Sequence, residues 1–511
     1  SDRNGLRLEE LLIDGKCVFR TGHDFDFSYL WNLKGVPEEV HRLTIRATDM
    51  AGNVGTLNRY IPVKSVAKDW YFAEGNTLPE FEEYLCVLNP GDSQASYRVR
   101  FMLETGQVVE VDRAIKPRQR DTVHVKDYVE VGHPGVSAHV HCDTQSLVVE
   151  RPMYFRYKET VPGYSWKGGH NVVGMNSPQT SFFFAEGYTA MNDAVGNHFE
   201  EWILLMNPSE SETATVVITY MLASGLNVDR VYQVAPHSRV TVEVAGDVGI
   251  NQEVSAKVES SVPIMAERAI YFRYKDGYAC EGSNVIGAKS PNKEWYFAEG
   301  CTRPGFNEYI CVQNPNDDEA AVEVTYMTGS KSEHESRNIA VKYRVPARSR
   351  YTIDVLKAVG DHQDVSARLV SDRSVIAERP MYFIYNRGDG VYWNGGEAAV
   401  GASRCSTSLF LAEGTTRENF DTYYSLFNPN EEGTPVRIEF SFANGSTQTK
   451  EEWINPRSRL TINARDAINR SEDVSATIYS VLPIAVERPM YFNYGNSGIT
   501  GGHSANGYGI D

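Results

Sequence analysis

The sequence lacks any apolar run close to the ~20 residues that a membrane-spanning helix needs. It is also short of positive charge, with 50 Lys and Arg against 67 Asp and Glu and a net charge of −17. Such a field repels a polyanion, so nucleic acid is not an expected partner. The first residues, Ser1 to Asn4, carry no apolar core of a signal peptide, so an exported chain is expected to be a mature form or a fragment.

Cysteine is scarce, with seven in 511 residues. No two of them form a Cys-x-x-Cys pair, so a zinc site with closely spaced ligands is not expected. Seven cysteines are also too few for a disulfide scaffold. We interpret Cys86 and Cys311, at matching places inside apolar strands, as small buried hydrophobic residues. The sequence leaves open whether two of the other cysteines form a disulfide.

Common catalytic motifs are missing as well. The chain has no Gly-x-Ser-x-Gly, no His-Glu-x-x-His, no P-loop and no dinucleotide-binding fingerprint. No segment keeps a sustained helical period, whereas 29 Tyr, 21 Phe, 41 Gly and 22 Pro favour strands and turns. We therefore predict that the protein is not an enzyme and carries no cofactor.

What the sequence does contain is a pattern written four times. Phe-Ala-Glu-Gly begins at Phe72, Phe184 and Phe297 and returns as Leu-Ala-Glu-Gly at Leu411, with spacings of 112 to 114 residues. A second string closes each copy, Glu-Arg-Pro-Met-Tyr-Phe in three copies and Glu-Arg-Ala-Ile-Tyr-Phe in the second. Asn-Pro, an Arg-x-Thr strand start and Val-Ser-Ala recur between them in the same order. These landmarks define four tandem domains.

Each copy is predicted to consist of strands. In the second copy, Ser238 to Val244 alternates strictly, which places Val240 and Val242 on the same face as Val244. Further β-branched and aromatic runs, separated by Asn-Pro and Gly turns, give about seven strands in ~110 residues. That number is typical of a β-sandwich.

The four copies resemble the tandem repeats of large secreted bacterial surface proteins, through Phe-Ala-Glu-Gly, Asn-Pro, Val-Ser-Ala and Glu-Arg-Pro-Met-Tyr-Phe over residues 69–505. Residues 1–67 resemble the later strands of a bacterial Ig-like domain, which end in an Ala-x-Asp-x-x-Gly-Asn turn, here Ala47 to Asn53. They are shorter than the ~100 residues of a whole sandwich, so a partial domain is expected. The resemblance implies export and an extracellular or cell-surface location, and it implies no activity.

The predicted fold class is all-β: a partial Ig-like sandwich followed by four tandem β-sandwich repeat domains in an elongated array. The partial domain is residues 1–67. The four repeat domains, called repeats 1 to 4 below, are residues 68–176, 177–290, 291–404 and 405–511.

The recurring carboxylates allow two interpretations. Glu74, Glu83 and Glu150 could include the acid and base of a glycoside hydrolase. Strand alternation, however, places Arg151 on an apolar face, where a charge needs a partner. Glu74 shares its face with Phe72 and recurs wherever the arginine recurs. We therefore predict four structural ion pairs: Glu74–Arg151, Glu186–Arg268, Glu299–Arg379 and Glu413–Arg488.

A His-x-His pattern is the strongest metal-binding signal in the chain. His139 and His141 lie on one strand face just before Cys142, and such a set could chelate a metal. The second copy has Lys257 and Glu259 at these positions, so we predict an exposed polar face and no metal site.

The aromatic residues also allow two interpretations. Trp70, Trp295 and the Tyr-rich strands could form platforms that stack on sugars. Their recurrence inside strands favours packing in the core of each sandwich.

We predict a non-enzymatic extracellular structural or adhesive protein: a β-sandwich rod that acts as a surface stalk, a surface-layer element or a filament subunit. The incomplete N-terminal sandwich suggests polymerisation, with a strand from a neighbouring subunit completing it. The alternative is an array of carbohydrate-binding accessory modules in a secreted or cell-wall-associated protein. The expected partners are accordingly another copy of the chain, a neighbouring surface protein or a glycan.

Overall fold

The fold is all-β, as predicted. The computed structural model describes residues 6–22, 29, 31, 40–62, 67–161, 166–275, 277–329, 337–388, 390–495 and 498–509. Its helices are single turns, and none among these residues is long or apolar enough to cross a membrane.

The N-terminal region contains one antiparallel sheet in the order β2-β1-β3-β4. Its strands are β1 (Leu6–Ile13), β2 (Lys16–Thr21), β3 (Val40–Asp49) and β4 (Val54–Pro62). The predicted Ala-x-Asp-x-x-Gly-Asn turn joins β3 to β4, where the Asn53 backbone N–H donates to Asp49 Oδ1 at 2.8 Å. Gly52 has a φ of 91°, a conformation that suits glycine. The predicted domain 1–67 also includes residues that lie outside the described ranges.

Repeat 1 is a sandwich of two four-stranded antiparallel sheets, ordered β5-β10-β7-β8 and β12-β11-β6-β9. Its strands are β5 (Asp69–Phe72), β6 (Phe81–Asn89), β7 (Ala95–Leu103), β8 (Val108–Ile115), β9 (Gln119–His124), β10 (Val136–His141), β11 (Val148–Tyr157) and β12 (Trp166–Val173). A 3₁₀ turn, Val125–Asp127, follows β9.

The other repeats keep this topology, with one helical turn each. Repeat 2 contains β13 (Gln179–Phe184), β14 (His198–Asn207), β15 (Ala214–Leu222), β16 (Asn227–Val234), β17 (Ser238–Glu243), α1 (Val244–Val248), β18 (Val254–Tyr274) and β19 (Ala279–Ile286). Repeat 3 contains β20 (Asn292–Phe297), β21 (Phe306–Asn314), β22 (Ala320–Gly329), β23 (Arg337–Val345), β24 (Ser349–Asp354), α2 (Val355–Val359), β25 (Asp364–Asn386) and β26 (Tyr392–Val400). Repeat 4 contains β27 (Ser406–Leu411), β28 (Phe420–Asn428), β29 (Thr434–Phe442), β30 (Thr447–Ile454), β31 (Ser458–Asn463), α3 (Ala464–Ile468), β32 (Val474–Tyr494), β33 (Ile499–Asn506) and β34 (Tyr508–Gly509).

The number of strands in a repeat depends on whether one long strand is continuous or broken in two. In repeats 2 to 4 a single long strand, β18, β25 or β32, pairs in one sheet through its first half and in the other through its second half. In repeat 1 the same path is broken into β10 and β11. The predicted count of about seven strands therefore fits repeats 2 and 3, whereas repeat 1 has eight.

Alternation puts the apolar side chains between the sheets, as predicted. Along β7, Val99 and Phe101 are completely buried, while the neighbouring Arg98 points to the other face and is exposed. Trp70 and Trp295 are buried core residues, which confirms the core interpretation of these tryptophans. Burying a large apolar side chain contributes about 1.5–3 kcal/mol, so these rows account for much of each repeat's stability.

The four repeats close on one another, and the predicted elongated arrangement is wrong. Strand β12 packs on β19, β19 on β26, β26 on β33, and β33 on β12. These four strands meet at a common point, called the ring centre below. Repeat periodicity shows how often a unit occurs but not whether the last unit returns to the first. Whether the last repeat packs against the first depends on the side chains at the contacts between repeats.

Candidate functional site at the repeat interfaces

Three of the four predicted ion pairs are in contact. They join the Phe-Ala-Glu-Gly loop of a repeat to the Glu-Arg strand of the same repeat. The distances are 2.9 Å for Arg151 Nη2 to Glu74 Oε2, 2.6 Å for Arg268 Nη2 to Glu186 Oε2, and 3.2 Å for Arg488 Nη1 to Glu413 Oε2. The arginines are completely buried. Burial raises the pKa of these three glutamates above its ordinary value, and the adjacent arginine opposes this only in part.

The third predicted pair, Glu299–Arg379, is wrong. Arg379 Nη2 lies 2.8 Å from Glu397 Oε1 and 3.0 Å from Glu487 Oε2. Glu299 Oε2 instead lies 2.5 Å from Arg459 Nη2 of repeat 4. The physical reason is Glu397, because at the equivalent position the other repeats have His or Ser and offer no competing carboxylate.

The glutamate that precedes each buried arginine links one repeat to another. Each arginine contacts the glutamate of the following repeat, and the arginine of repeat 4 contacts that of repeat 1. The distances are 3.2 Å for Arg151–Glu267, 2.7 Å for Arg268–Glu378, 3.0 Å for Arg379–Glu487 and 3.0 Å for Arg488–Glu150. The fourth link closes the ring. These links were not predicted from the sequence, although a glutamate before each arginine in four copies was a signal for them.

The same glutamates also bind the backbone of the neighbouring Phe-Ala-Glu-Gly loop. Their carboxylates accept the alanine N–H at 2.6 Å from Ala73, 2.7 Å from Ala185, 2.8 Å from Ala298 and 2.6 Å from Ala412. A carboxylate that binds both a guanidinium and a backbone N–H is well satisfied, which offsets its burial.

The recurring Arg-x-Thr arginine makes a second contact across each interface. It donates to the glycine carbonyl of the same loop, and the distances are 2.8 Å for Arg239–Gly75, 2.5 Å for Arg350–Gly187, 2.7 Å for Arg459–Gly300 and 3.4 Å for Arg120–Gly414. A Cβ at Gly75 would lie 2.0 Å from the Val136 carbonyl oxygen, so this loop position requires glycine. Each repeat thus binds its neighbour's loop through both backbone and side chain.

Stacked tyrosine pairs also join neighbouring repeats. The ring centroids of the stacked pairs are 4.0 Å apart for Tyr157–Tyr271, 4.1 Å for Tyr274–Tyr382, 4.1 Å for Tyr385–Tyr491 and 4.0 Å for Tyr154–Tyr494. Each pair joins two repeats, and the last joins repeats 1 and 4. Aromatic pairs of this kind contribute about 0.5–1.5 kcal/mol beyond the area they bury.

One side chain occupies the ring centre. Glu281 on β19 is completely buried, and its carboxylate accepts backbone N–H groups from all three other repeats. The distances are 3.1 Å from Gly169, 2.6 Å from Gly396 and 3.0 Å from Gly502. Burial raises the pKa of Glu281 well above its ordinary value. The other repeats have Gly168, Gly395 and Gly501 where repeat 2 has Glu281.

A further set of buried carboxylates has no ion pair with any arginine of the described ranges. Glu83, Glu201 and Glu308 each face the loop glycine of their repeat, and repeat 4 has Thr422 at this place. Loss of hydration on burial raises the pKa of each of the three to about 8, although nearby arginines act in the opposite direction. The same cause raises the pKa of Glu397 to about 8.

These buried acids predict an unusual dependence of stability on pH. Because their folded pKa lies above the ordinary value of 4.5, the unfolded chain releases its protons first as the pH rises. The free energy of unfolding should therefore fall between about pH 5 and pH 8, by at most ~1.4 kcal/mol per pH unit for each acid. Thermal unfolding from pH 5 to pH 8.5 should show a falling midpoint.

The matched variant for this prediction is Glu83→Gln, Glu201→Gln and Glu308→Gln together. It should be more stable than the wild type at pH 8 and similar at pH 5, since only the charged form is penalised. Glu110→Gln, on an exposed strand, should change neither value. A wild-type midpoint that rises steadily through this range would contradict the assignment.

Two interfaces contain open clefts at equivalent places. Between repeats 1 and 2 the cleft measures about 380 Å³, and it is lined by Tyr157, Trp202, Tyr271, Glu74 and Arg239, among others. Between repeats 2 and 3 it measures about 200 Å³. Aromatic walls with a carboxylate and a guanidinium among the lining side chains resemble a small-molecule binding site in their chemistry.

The remaining residues singled out in the sequence are the cysteines and two histidines. Cys86 and Cys311 are buried, as predicted, and all seven cysteines are free thiols. His139 and His141 lie on one face of β10, and the structure brings Asp69 of β5 next to both. Asp69 was not among the predicted ligands, because it is 70 residues away along the chain.

Comparisons with known proteins place no family name on this chain. No protein-family model matches it, and no curated protein does. A crystal structure described as Thermotoga maritima 1070 is 15% identical and covers 22% of this chain and 94% of its own, with a TM-score of 0.19. Escherichia coli alpha-2-macroglobulin activated by porcine elastase is 7% identical, with coverages of 99% and 50% and a TM-score of 0.12. A tetra-tandem repeat from the extending region of a large adhesion protein is 10% identical, with coverages of 93% and 96% and a TM-score of 0.10. Function therefore has to follow from the chain's own residues.

Proposed function

We propose that this chain is a non-enzymatic, extracellular structural and adhesive protein whose four repeats form one rigid ring. The observation that carries the proposal is the closing contact, in which Glu150 of repeat 1 binds Arg488 and the Ala412 N–H of repeat 4. One chain thus satisfies all four interfaces by itself. The proposed roles are a surface-layer element or a filament subunit. We no longer propose a stalk, because that role requires repeats placed end to end.

The burial of the recurring carboxylates supports a non-enzymatic role. Glu83 and Glu150 are completely buried, and Glu74 is 4% exposed and paired with Arg151. A glycoside hydrolase needs its two carboxyl groups on either side of a substrate-filled cleft. Here the carboxyl groups bind other parts of the chain. The motif resemblance to secreted bacterial surface proteins supports the extracellular location.

The N-terminal sheet supports self-association as the means of assembly. Within the described residues, β2 and β4 are its two edges, and neither pairs with a further strand. Val54 and Leu57 on β4 are about half exposed, at 56% and 49%. An edge strand with exposed apolar side chains is a template for pairing with another chain.

Carbohydrate binding is the second candidate, and the cleft between repeats 1 and 2 favours it. Trp202 and Tyr271 line this cleft together with Glu74 and Arg239. Aromatic faces stack on the apolar face of a sugar ring, while charged groups bind its hydroxyls.

One experiment with two arms tests the proposal. In the first arm, multi-angle light scattering of the full chain should give a mass that rises above the 57.2 kDa monomer as the concentration increases. The double variant Val54→Lys, Leu57→Lys should stay monomeric, because lysine on an edge strand blocks pairing. Met191→Lys, Leu356→Lys, on exposed sites away from this sheet, is the matched control.

The second arm is a pull-down with insoluble polysaccharides, with Trp202→Ala beside the exposed control Trp453→Ala. A concentration-independent monomer that binds a polysaccharide through Trp202 would replace the structural proposal by the second candidate. A monomer that binds none of them would contradict both.

A further inference from the structure

Repeat 1 carries a set of two histidines and one aspartate that the other repeats lack. Strand β5 pairs with β10 so that Asp69 lies opposite His141, with His139 two residues along on the same face. Asp69 Oδ1 lies 2.8 Å from His139 Nε2 and 2.7 Å from His141 Nδ1. The three ligand atoms all lie within 4.8 Å of one another. Each residue is half-buried, so water and ions reach the cluster.

The spacing of these atoms is close to what a metal ion requires. Ligand atoms bound to a tetrahedral ion at ~2.1 Å are roughly 3.4 Å apart. The two nitrogen-to-oxygen distances are 2.7 and 2.8 Å, so small side-chain rotations would open room for an ion. Two imidazoles and one carboxylate are a ligand set that Zn²⁺ accepts, with a fourth position left for water.

The surroundings hold the two imidazoles in place. His141 Nε2 lies 2.9 Å from Asp143 Oδ1, which is the carboxylate–histidine arrangement that orients metal ligands. The His139 ring stacks on Tyr71 with centroids 4.1 Å apart and an angle of 4°. The two arginines opposite these histidines on β7 have carboxylate partners of their own, Arg100 with Glu110 at 2.9 Å and Arg98 with Asp112 at 2.7 Å.

The equivalent positions in two other repeats hold a cation already. In repeat 3, Arg368 Nη2 lies 3.0 Å from Glu294 Oε1. In repeat 2, Lys257 Nζ lies 2.8 Å from Glu259 Oε1. Repeat 1 has Asp69 where repeat 3 has Glu294, and it has His139 in place of the cationic side chain of both repeats. A bound metal ion would supply the positive charge that Arg368 and Lys257 supply elsewhere.

We propose that Asp69, His139 and His141 form a binding site for a divalent transition-metal ion, with Zn²⁺ as the ion that fits the ligand set best. The site lies on the exposed face of the β5–β10 pair. None of the three residues lines either of the clefts described above, and a bound ion would clamp the first strand of repeat 1 to β10. This revises the sequence-based prediction that no metal site exists.

Isothermal titration of the full chain with ZnCl₂ tests the proposal. The wild type should bind one Zn²⁺ ion. The double variant His139→Lys, His141→Val should bind it with an affinity at least tenfold lower. These replacements are the residues that repeats 2 and 3 carry at the same positions, so the fold accommodates them. Asp143→Asn should weaken binding by about 10–100-fold, as expected for a residue that orients a ligand.

Two controls separate this site from other ligands in the chain. His124→Gln removes a histidine that also contacts two carboxylates, Glu82 and Asp127, and it should leave the titration unchanged. Co²⁺ bound in place of Zn²⁺ should show an absorption spectrum without a thiolate charge-transfer band, which excludes the free cysteines. Zn²⁺ binding that is equal in the wild type and the double variant, or absent from the wild type, would overturn the proposal.

Discussion

Arg488→Met is expected to lower the free energy of unfolding by about 3–5 kcal/mol. The substitution leaves Glu150 and Glu413 buried without the guanidinium that lies 3.0 and 3.2 Å from them. Domains are typically stable by only ~5–15 kcal/mol, so this loss is a large fraction of the total. Because Arg488 lies where repeat 4 meets repeat 1, the closing interface should weaken first. Urea unfolding followed by circular dichroism measures the loss, and small-angle X-ray scattering shows whether the ring opens.

The control for this prediction is Arg98→Met, which removes a bidentate contact with Asp112 on an exposed strand. It should leave the free energy of unfolding almost unchanged, because solvent screens a surface ion pair. Adding Glu150→Gln and Glu413→Gln to Arg488→Met should restore part of the stability, because the uncompensated charges are then gone. A loss for Arg488→Met no larger than that of Arg98→Met would show that the buried pairs are not what closes the ring.

Gly168→Ala should destabilise the wild type by about 1–3 kcal/mol and have little effect when Glu281 is also replaced by glycine. A Cβ at residue 168 would lie 2.3 Å from the Cγ of Glu281 and 2.9 Å from its Oε1. The three atoms nearest to that Cβ all belong to Glu281, so removing this side chain removes the conflict. A double-mutant cycle on Gly168 and Glu281 measures the effect as a coupling energy of about 1–3 kcal/mol.

The single variant Glu281→Gly gives the second part of this test. It leaves the N–H groups of Gly169, Gly396 and Gly502 without the carboxylate they bind, at a cost of about 1–3 kcal/mol for an unsatisfied buried donor. Gly55→Ala is a suitable control, since a Cβ at this residue would meet no described atom within 4 Å and its φ is not positive. Additive effects of Gly168→Ala and Glu281→Gly would contradict the close packing at the ring centre.

The sequence predicts the strands and cores of the repeats well, because these depend on local alternation. Residues such as Trp70, Phe72 and Cys86 are buried where the pattern places them. The repeated strings also identified Arg151 and its counterparts as buried charges that need a carboxylate partner. The pattern says nothing about which copy supplies that partner, because Glu74 and Glu267 are both glutamates within recurring strings. Arg151 contacts both of them.

The exceptions among the repeats were the hardest to predict. Arg379 pairs with Glu397 instead of Glu299. This change of partner results from a single residue that differs from its counterparts in the other repeats. Glu281 likewise stands where three other copies have glycine. Such a residue looks like ordinary surface variation in a strand unless the strand is known to face the ring centre. Asp69 shows the same limit, because only the pairing of β5 with β10 brings it to His139.

The lone carboxylate of Glu281 bears on why the repeats are joined in one polypeptide. Four identical subunits around a symmetry axis would each place the same residue at the centre. Four glutamates there would clash and repel one another, and four glycines would leave three or more N–H groups without an acceptor. A covalent tandem lets one copy differ from its neighbours at a single point. The fused gene therefore permits a centre that no homotetramer of these repeats could assemble.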